Sequence, residues 1–477
     1  MPNLTDFPPG FWLSLAIMAG LVVHAWKCRD EAWGIPAIAV CGTVVAWYHG
    51  DLIYNGLEGF SRDFTPSVFH DAWRQVAVFL ASFWVLCPVL SRALNPPGTG
   101  RHSTVVSLLD GRLTLDRLQG ILPPLLSGLA TIWIVLTLIA LFRTEFDWKG
   151  IFAPWLGHLA QPWARARVGG TFDFIFSVVG HVNLFCLCGF GIVAALAKSS
   201  RLRCAALALI ALSWPMVFLD RTRHTMLAIL LPGLAALVFV RLRRHRLAQV
   251  GVLAGAFLAV HLWFSFVIAI RSSQSVAEAF ATGGMQNTEE KKHEGLNMFE
   301  ELCWINQFME DGTYSPDWGK RYFAEIVNVI PRPLWKDKPT IGLDYAVARG
   351  QANDATIGAS GATISTGMIG GGLVNFGPWL GPPAAALLMA AWVALLAQFD
   401  LAGHRFGRLL LYIIGLVLTF NLGRDITLLV AYPLVFGYAI VWVLEHWFPG
   451  SAEWSLTVQR TASQRKEPSV PSPSAHA

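Results

Sequence analysis

The chain has 477 residues, of which 54% are hydrophobic and only 14% are charged, with a formal net charge of +5. A soluble globular domain carries about 25% charged residues, and a disordered chain contains far fewer apolar ones. The composition therefore excludes both classes and favours a membrane protein with several spans. The 20 Trp and 30 Phe residues suit the interfaces and lipid-facing surfaces of such a protein.

The apolar segments predict the membrane spans. A transmembrane helix needs about 20 mainly apolar residues. We predict eleven spans, at residues 11–26, 32–48, 76–90, 122–141, 172–196, 204–219, 225–240, 250–270, 377–399, 409–421 and 426–443. No Lys or Arg precedes the first span, so no cleaved signal peptide is expected. The expected fold class is an all-α, polytopic membrane helix bundle.

The Lys and Arg residues orient these spans, since short cytoplasmic loops are rich in both. We place the cluster 241–246, which contains four arginines, in the cytoplasm. Alternation then brings Lys27, Lys198, Arg405 and the C-terminal tail to the same side, and leaves the N-terminus outside. If the Gly-rich run before Gly377 crossed the membrane separately, the last spans would be inverted.

The predicted spans divide the chain into four segments. Residues 1–270 hold spans one to eight, and 271–357 form a large periplasmic loop. Residues 358–450 hold a Gly-rich segment and the last three spans, and 451–477 form a disordered cytoplasmic tail rich in Pro and Ser. Within the long loop, apolar spacing predicts amphipathic helices at 294–310 and 320–330, and Pro331 ends the second. Cys303 in this loop has no second cysteine nearby, so a structural or incidental thiol is expected.

Two short segments place arginines where a predicted span begins. In Asp220-Arg221-Thr222-Arg223-His224, the helix N-terminus and two arginines would form a site for phosphate. The alternative is that Asp220 caps the helix while the arginines extend to the membrane interface. In Gly423-Arg424-Asp425, likewise, Asp425 can cap the last span with Arg424 as its ion-pair partner.

Two further segments contribute candidate binding residues. Residues 331–339 hold Arg332, Trp335 and Lys338 in a strip stiffened by prolines, which could clamp a diphosphate and stack on a sugar ring. A solvated loop is the alternative. Residues 361–377 are rich in Gly, Ser and Thr and close on Asn375-Phe376-Gly377, where close backbone approach or simple helix packing would both explain the composition.

These motifs carry a resemblance to a known family. Ile330-Pro331-Arg332 through Lys338-Pro339 is followed by 365–367 and by 375–377, and the pair Thr222-Arg223 opens a span with Met226-Leu227 behind it. In order and spacing, this resembles the bacterial oligosaccharide repeat-unit polymerases, the O-antigen polymerase (Wzy-type) family. The resemblance covers about residues 172–443, and it includes the single long outer loop late in the chain.

The resemblance implies a fold like that of the GT-C membrane glycosyltransferases and a location in the bacterial cell inner membrane. It implies a substrate that is an oligosaccharide linked to undecaprenyl diphosphate, with a flippase and a chain-length regulator as partners besides membrane lipid. No cofactor, metal or nucleic acid is expected. Arg223, Arg332 and His224 are the implied catalytic residues, and Arg221, Lys338, Arg424, Trp335 and Asn375 are the implied substrate-binding residues.

Several assignments stay open at the level of sequence. The general base that accepts a hydroxyl proton could be one of His224, His293, Glu300, Glu301 and Asp344. An O-antigen ligase would perform the same chemistry with a different acceptor. A transporter of an anionic or lipid-linked solute is less favoured, because no internal repeat is evident and the arginines lie at span ends rather than centres.

Overall fold

A computed structural model describes residues 7–55, 64–95, 103–109, 113–114, 118–153, 160, 162–163, 173–218, 223–242, 245–272, 297–327, 330, 334–335, 337–339, 343–350, 365–402, 405–447 and 457–458. In chain order the helices are α1 Pro9–Lys27, α2 Gly34–Val44, α3 Gly50–Asn55, α4 Pro66–Leu94, α5 Thr104–Leu109, α6 Leu118–Arg143, α7 Trp148–Phe152, α8 Asp173–Leu196, α9 Ser200–Phe218, α10 Arg223–Ala235, α11 Arg246–Ser272, α12 Met298–Glu310, α13 Lys320–Val327, α14 Leu343–Ala348, α15 Met368–Leu401, α16 Phe406–Arg424 and α17 Leu428–Trp447.

The protein is a helical, multi-pass membrane protein. Among the described residues, six helices are long and apolar enough to cross a bilayer: Pro9–Lys27, Pro66–Leu94, Leu122–Arg143, Arg246–Trp263, Met368–Leu401 and Gly407–Arg424. Four shorter apolar helices accompany them: Gly34–His49, Val182–Leu196, Ile229–Val238 and Leu434–Val443. Each of the eleven predicted spans overlaps a helix, but eleven crossings remain a prediction.

Two of the predicted spans are not uniform α-helices. Val45–His49 continues α2 as a π-helix, and Ala236–Arg241 continues α10 in the same way. A π-helical turn changes the direction of the side chains that follow it, and such turns are frequent at functional sites. In the first, the wide turn includes the buried residues Tyr48 and His49.

Helix α15 is broken near its start. Gly377 lies inside it with φ 78° and ψ 178°, which separates residues 368–376 from the long segment that begins at Pro378. The first part is only about 13 Å long at 1.5 Å per residue, too short to cross a bilayer core of about 30 Å. The first part folds back on the second, and Gly372 and Gly381 are in close backbone contact. A side chain on either glycine would collide with the backbone of the other. Residues 368–376 of the Gly-rich run thus form a half-helix.

The described part of the long polar loop packs on one end of the bundle, which we call the loop face. Loop helices α12 and α13 confirm the two amphipathic helices expected from spacing. The ring of Phe299 stacks on Trp73 of α4 at 4.0 Å between centroids. Gln75 and Asn306 exchange two buried side-chain hydrogen bonds of 2.7 and 2.9 Å. The loop is therefore anchored directly to α4.

The other end of the bundle collects the segments predicted to be cytoplasmic. Glu31 pairs with Arg92 at 3.3 Å, and Arg408 pairs with Glu445 at 2.8 Å. Within the segment predicted as a disordered tail, the two-residue strand β2 (Thr457–Val458) pairs antiparallel with β1 (Leu113–Thr114). The remainder of that tail lies outside the described residues.

Candidate functional site

Three side-chain oxygens converge on Gly371 at the loop face. A Cβ on this glycine would lie 3.6 Å from Tyr322 Oη, 3.7 Å from Thr366 Oγ1 and 3.8 Å from Asp425 Oδ1. Both hydroxyl oxygens are buried and have no hydrogen-bond partner within the described part of the chain. Buried polar groups are paired in the great majority of cases, so two unpaired hydroxyls beside one carboxylate mark a candidate site.

The half-helix positions this site. Gly367, with φ 77°, turns the chain into α15, and a side chain there would collide with Tyr48 and Met298. The N–H of Ile369 then donates to Tyr48 Oη at 2.9 Å. This hydrogen bond joins the π-helical segment after α2 to the start of α15.

Asn375 connects the half-helix to the loop above it. Its amide donates to the carbonyl oxygen of Gly371 at 2.8 Å, and its Oδ1 accepts from the N–H of Tyr322 at 3.2 Å. Its own carbonyl accepts from the N–H of Gly319 at 3.2 Å. Asn375 was predicted to bind substrate. The structure places it one helical turn from Gly371, and its side chain is hydrogen-bonded to the backbone of Gly371 and Tyr322. It holds Tyr322 in position.

A buried cation faces the carboxylate of the site. Arg321 of α13 is 4% exposed, and its Nη2 lies 3.8 Å from Asp425 Oδ2. This distance permits charge attraction and is too long for a hydrogen bond. The pair links the long loop to the connection between α16 and α17.

The two faces of Asp425 therefore differ. One carboxylate oxygen lies toward Arg321, and the other lies toward Gly371. Burial raises the pKa of this carboxyl, against the opposing effect of Arg321 and Arg424. Burial and the nearby carboxylate also raise the pKa of Tyr322, whose hydroxyl thus stays protonated. The site presents one carboxylate and two neutral hydroxyls.

Asp425 does not cap the last span. Thr427 does so, because its Oγ1 accepts from the N–H of Val430 at 3.3 Å and α17 begins at Leu428. This corrects the sequence interpretation of the Gly423-Arg424-Asp425 segment. Arg424 is the exposed last residue of α16, and it contributes its charge beside Asp425.

In a second polar cluster on the loop face, both carboxylate oxygens of Glu301 are paired. Tyr345 Oη donates to Glu301 Oε2 at 2.6 Å, and Arg349 Nη2 bonds Glu301 Oε1 at 3.0 Å. The Arg349 guanidinium also stacks on Trp304, 4.5 Å from the ring centroid. Burial and Glu301 raise the pKa of Tyr345. With both oxygens engaged, Glu301 is better suited to hold α12 and α14 together than to act as a general base.

The proline-stiffened strip is only partly described. Lys338 is 5% exposed, and its Nζ donates to the carbonyl oxygen of Ile330 at 3.0 Å. The Trp335 ring meets Phe323 of α13 edge-on at 6.4 Å between centroids. Arg332 itself lies outside the described residues.

The start of α10 is also partly described. The helix begins at Arg223, as the sequence predicts, but the side chains of Arg223 and His224 and the whole of Arg221 lie outside the described residues. The same holds for His293. Cys303 is fully buried, and burial raises the pKa of its thiol, as expected for a structural residue.

Sequence reasoning named some of the residues around Gly371 and missed others. Thr366 and Asp425 lay in motifs that were singled out, whereas Tyr48, Arg321 and Tyr322 were not, because each is ordinary in its own segment. The structure buries Arg321 and Glu325 of α13, which the apolar spacing of 320–330 did not indicate. Charged residues are almost never fully buried unless they are paired.

A separate cavity lies away from this cluster, between helices α6, α7, α8 and α9. Its lining is aromatic and aliphatic except for Thr137, Asn183 and Ser213. No ionisable side chain lines it among the described residues. It offers no charge for chemistry, so the cluster at Gly371 is the stronger candidate.

The described residues contain no group of three His, Cys, Asp or Glu side chains that could hold a metal ion. No family model matches the chain, no curated protein is significantly similar to it, and no solved structure matches it. Any function must be inferred from the residues and their geometry.

Proposed function

We propose that this protein is a glycosyltransferase that polymerises oligosaccharide repeat units carried on a polyprenyl diphosphate, at the periplasmic face of the bacterial inner membrane. The observation that carries the proposal is the cluster at Gly371. A buried arginine, a carboxylate and two unpartnered hydroxyls lie between a membrane helix bundle and the loop that covers it. A lipid-linked sugar presents its polar part at this level, and it needs both charge and hydrogen bonds.

The bond that breaks explains the need for cations. When a glycan leaves its lipid carrier, the diphosphate gains negative charge in the transition state, and fixed cations stabilise that charge. We assign this role to Arg223 and Arg332, with Arg221, Lys338 and Arg424 in support. The position of Arg424 supports the assignment, since it is exposed at the end of α16 and contributes its charge beside Asp425.

The architecture belongs to the same proposal. We propose that all eleven predicted spans cross the membrane, with the N-terminus outside and the tail inside, in an arrangement that resembles the GT-C glycosyltransferases. The loop face is then periplasmic. A reporter that is active only outside the cytoplasm, fused after Gly312 and separately after Ser463, tests this. Activity at Gly312 alone is expected, and activity at Ser463 alone would refute the orientation.

Gel profiles of surface glycan from a deletion strain test the reaction itself. Loss of the ladder of long chains, with single capped units retained, is the expected result. Loss of all capped core would indicate a ligase, and an unchanged ladder would refute the proposal. Restoration of the ladder by the wild-type gene is the necessary control.

A further inference from the structure

We infer that helix α13 is an interfacial membrane helix, whose outward face inserts among the lipids of the leaflet at the loop face. Three features of the helix point to this contact: the reversed polarity of its two faces, its depth relative to the neighbouring spans, and its position beside a lipid-facing surface. Membrane contact of α13 is independent of the proposed polymerase activity, since it concerns only where the long loop meets the bilayer.

The polarity of α13 is reversed relative to that of a helix on a water-facing surface. Its charged residues Arg321 and Glu325 are buried, whereas its outward face presents Phe323, which is 50% exposed, and Ile326, which is 59% exposed. A surface helix of a soluble protein turns its charged residues to water and its apolar residues to the core. The outward face of α13 is therefore suited to hydrocarbon rather than to water.

Exposed apolar residues next to α13 enlarge this surface. Trp318 precedes the helix and Leu334 follows it, and both side chains are largely exposed. The ring of Trp335 meets Phe323 edge-on, which brings the segment after α13 against the outward face of the helix. Monomeric soluble proteins rarely expose large contiguous apolar patches, and such patches mark contacts with a membrane or with another protein.

The neighbouring spans fix the depth of α13. Helix α16 has 19 residues and is therefore about 28 Å long, which matches a hydrocarbon core of about 30 Å. Its last residue, Arg424, thus lies at the border of that core when α16 crosses the bilayer. Arg321 of α13 lies 3.8 Å from Asp425, the next residue, and α13 also packs on α17, which begins at Leu428. The helix is therefore held at the boundary between the headgroups and the hydrocarbon.

A lipid-facing surface lies beside α13. The long part of α15 begins with Trp379 and Leu380, whose side chains are exposed on a helix long and apolar enough to cross a bilayer. The N–H of Gly319, which directly precedes α13, donates to the carbonyl oxygen of Asn375, just before that long part. The Arg74 guanidinium lies 4.2 Å from the ring centroid of Trp379, and such tryptophans are enriched at the membrane interface. Depth and position together favour lipid over a water-soluble partner as the occupant of the outward face.

Spin labels test this contact in the full-length protein, reconstituted into vesicles of phosphatidylethanolamine and phosphatidylglycerol. The background carries Cys28→Ser and Cys204→Ser, because these are the two cysteines that are not buried. Ile326→Cys places a label on the outward face of α13, and Thr313→Cys is the matched control, an exposed position of the same loop near the exposed Asp311. We expect the label at 326 to lie about 5–10 Å inside the headgroup boundary, relaxed by oxygen and shielded from a water-soluble nickel chelate. The label at 313 should be relaxed by the chelate.

Two results would overturn the membrane contact. Equal access of the nickel chelate to the labels at 326 and 313 would show that the outward face meets water. Shielding of the label at 326 from both oxygen and the chelate would show that protein, such as a second copy of this chain, covers the face. A label placed by Phe323→Cys, on the same face, must repeat the pattern, and it gives the answer alone if Ile326→Cys does not fold. None of these readouts depends on glycan transfer, so failure of this inference would leave the proposed polymerase intact.

Discussion

Two carboxylates on the loop face, Glu301 and Asp425, have opposite surroundings. Glu301 accepts from Tyr345 at 2.6 Å and from Arg349 at 3.0 Å, so both of its oxygens are engaged. Asp425 has its arginine at 3.8 Å, and its other oxygen faces two hydroxyls that lack partners among the described residues. A buried hydrogen-bond network in which every polar group is paired stabilises the fold. A buried network with unpaired groups costs folding free energy unless a ligand supplies the missing partners. The difference separates a structural cluster from a functional one.

The largest expected effect is on the structural cluster. Glu301→Gln removes the charge that Arg349 pairs with in a largely buried setting, and breaking such a pair costs about 3–5 kcal/mol of unfolding free energy. The measurement is chemical or thermal unfolding of the purified protein. Glu310→Gln, on the exposed last residue of the same helix, is the matched control and should change little. Equal stability of the two variants would contradict the structural role of Glu301.

The next effect concerns the predicted diphosphate contacts. Arginine binds phosphate through a planar fork that lysine cannot reproduce, whereas an interfacial anchor needs only charge and length. Arg223→Lys and Arg332→Lys should each lower polymer formation by about 100- to 1000-fold, the usual cost of losing one such donor. Arg243→Lys, predicted on the cytoplasmic side, should be nearly silent. Full ladders from both strains, at matched protein levels, would remove these arginines from the site.

A smaller effect is expected where α12 meets α4. Asn306→Leu leaves Gln75 buried without its partner and should cost about 1–3 kcal/mol of stability. The double change Gln75→Leu with Asn306→Leu removes both polar groups and should recover most of that loss. Unfolding of the single and double variants measures this, and a double variant less stable than Asn306→Leu would show that the amide pair does more than anchor the loop.

Sequence alone could predict what depends on local pattern. Apolar length predicted the six described helices that are long enough to cross a bilayer, and apolar spacing predicted α12 and α13, because both signals lie within one element. The interior break at Gly377 was not predicted, since a Gly-rich run fits a half-helix and a separate span equally well. The site itself joins residues far apart in the chain: Tyr48 meets Ile369, and Arg321 meets Asp425. Such pairs depend on how helices pack, which a single sequence does not specify.

The Asn-Phe-Gly motif illustrates the same limit. It directed attention to the half-helix beside the candidate site, but the side chain of Asn375 bonds the backbone of Gly371 and Tyr322. Lys338 is similar, because its ammonium bonds the carbonyl oxygen of Ile330. A motif can identify a segment of the chain near a candidate site, whereas the orientation of each side chain in it depends on the tertiary structure.

The most direct measurement compares one substitution at two tyrosines of the long loop. Tyr345→Phe removes a hydroxyl that bonds Glu301, whereas Tyr322→Phe removes one without a partner in the described part of the chain. Unfolding midpoints and polymer ladders of both variants are measured together. We predict that Tyr345→Phe lowers the midpoint, and that Tyr322→Phe leaves it unchanged or higher while shortening the ladder. A lower midpoint for Tyr322→Phe, together with a full ladder at matched protein levels, would contradict the assignment of the cluster at Gly371 as the functional site.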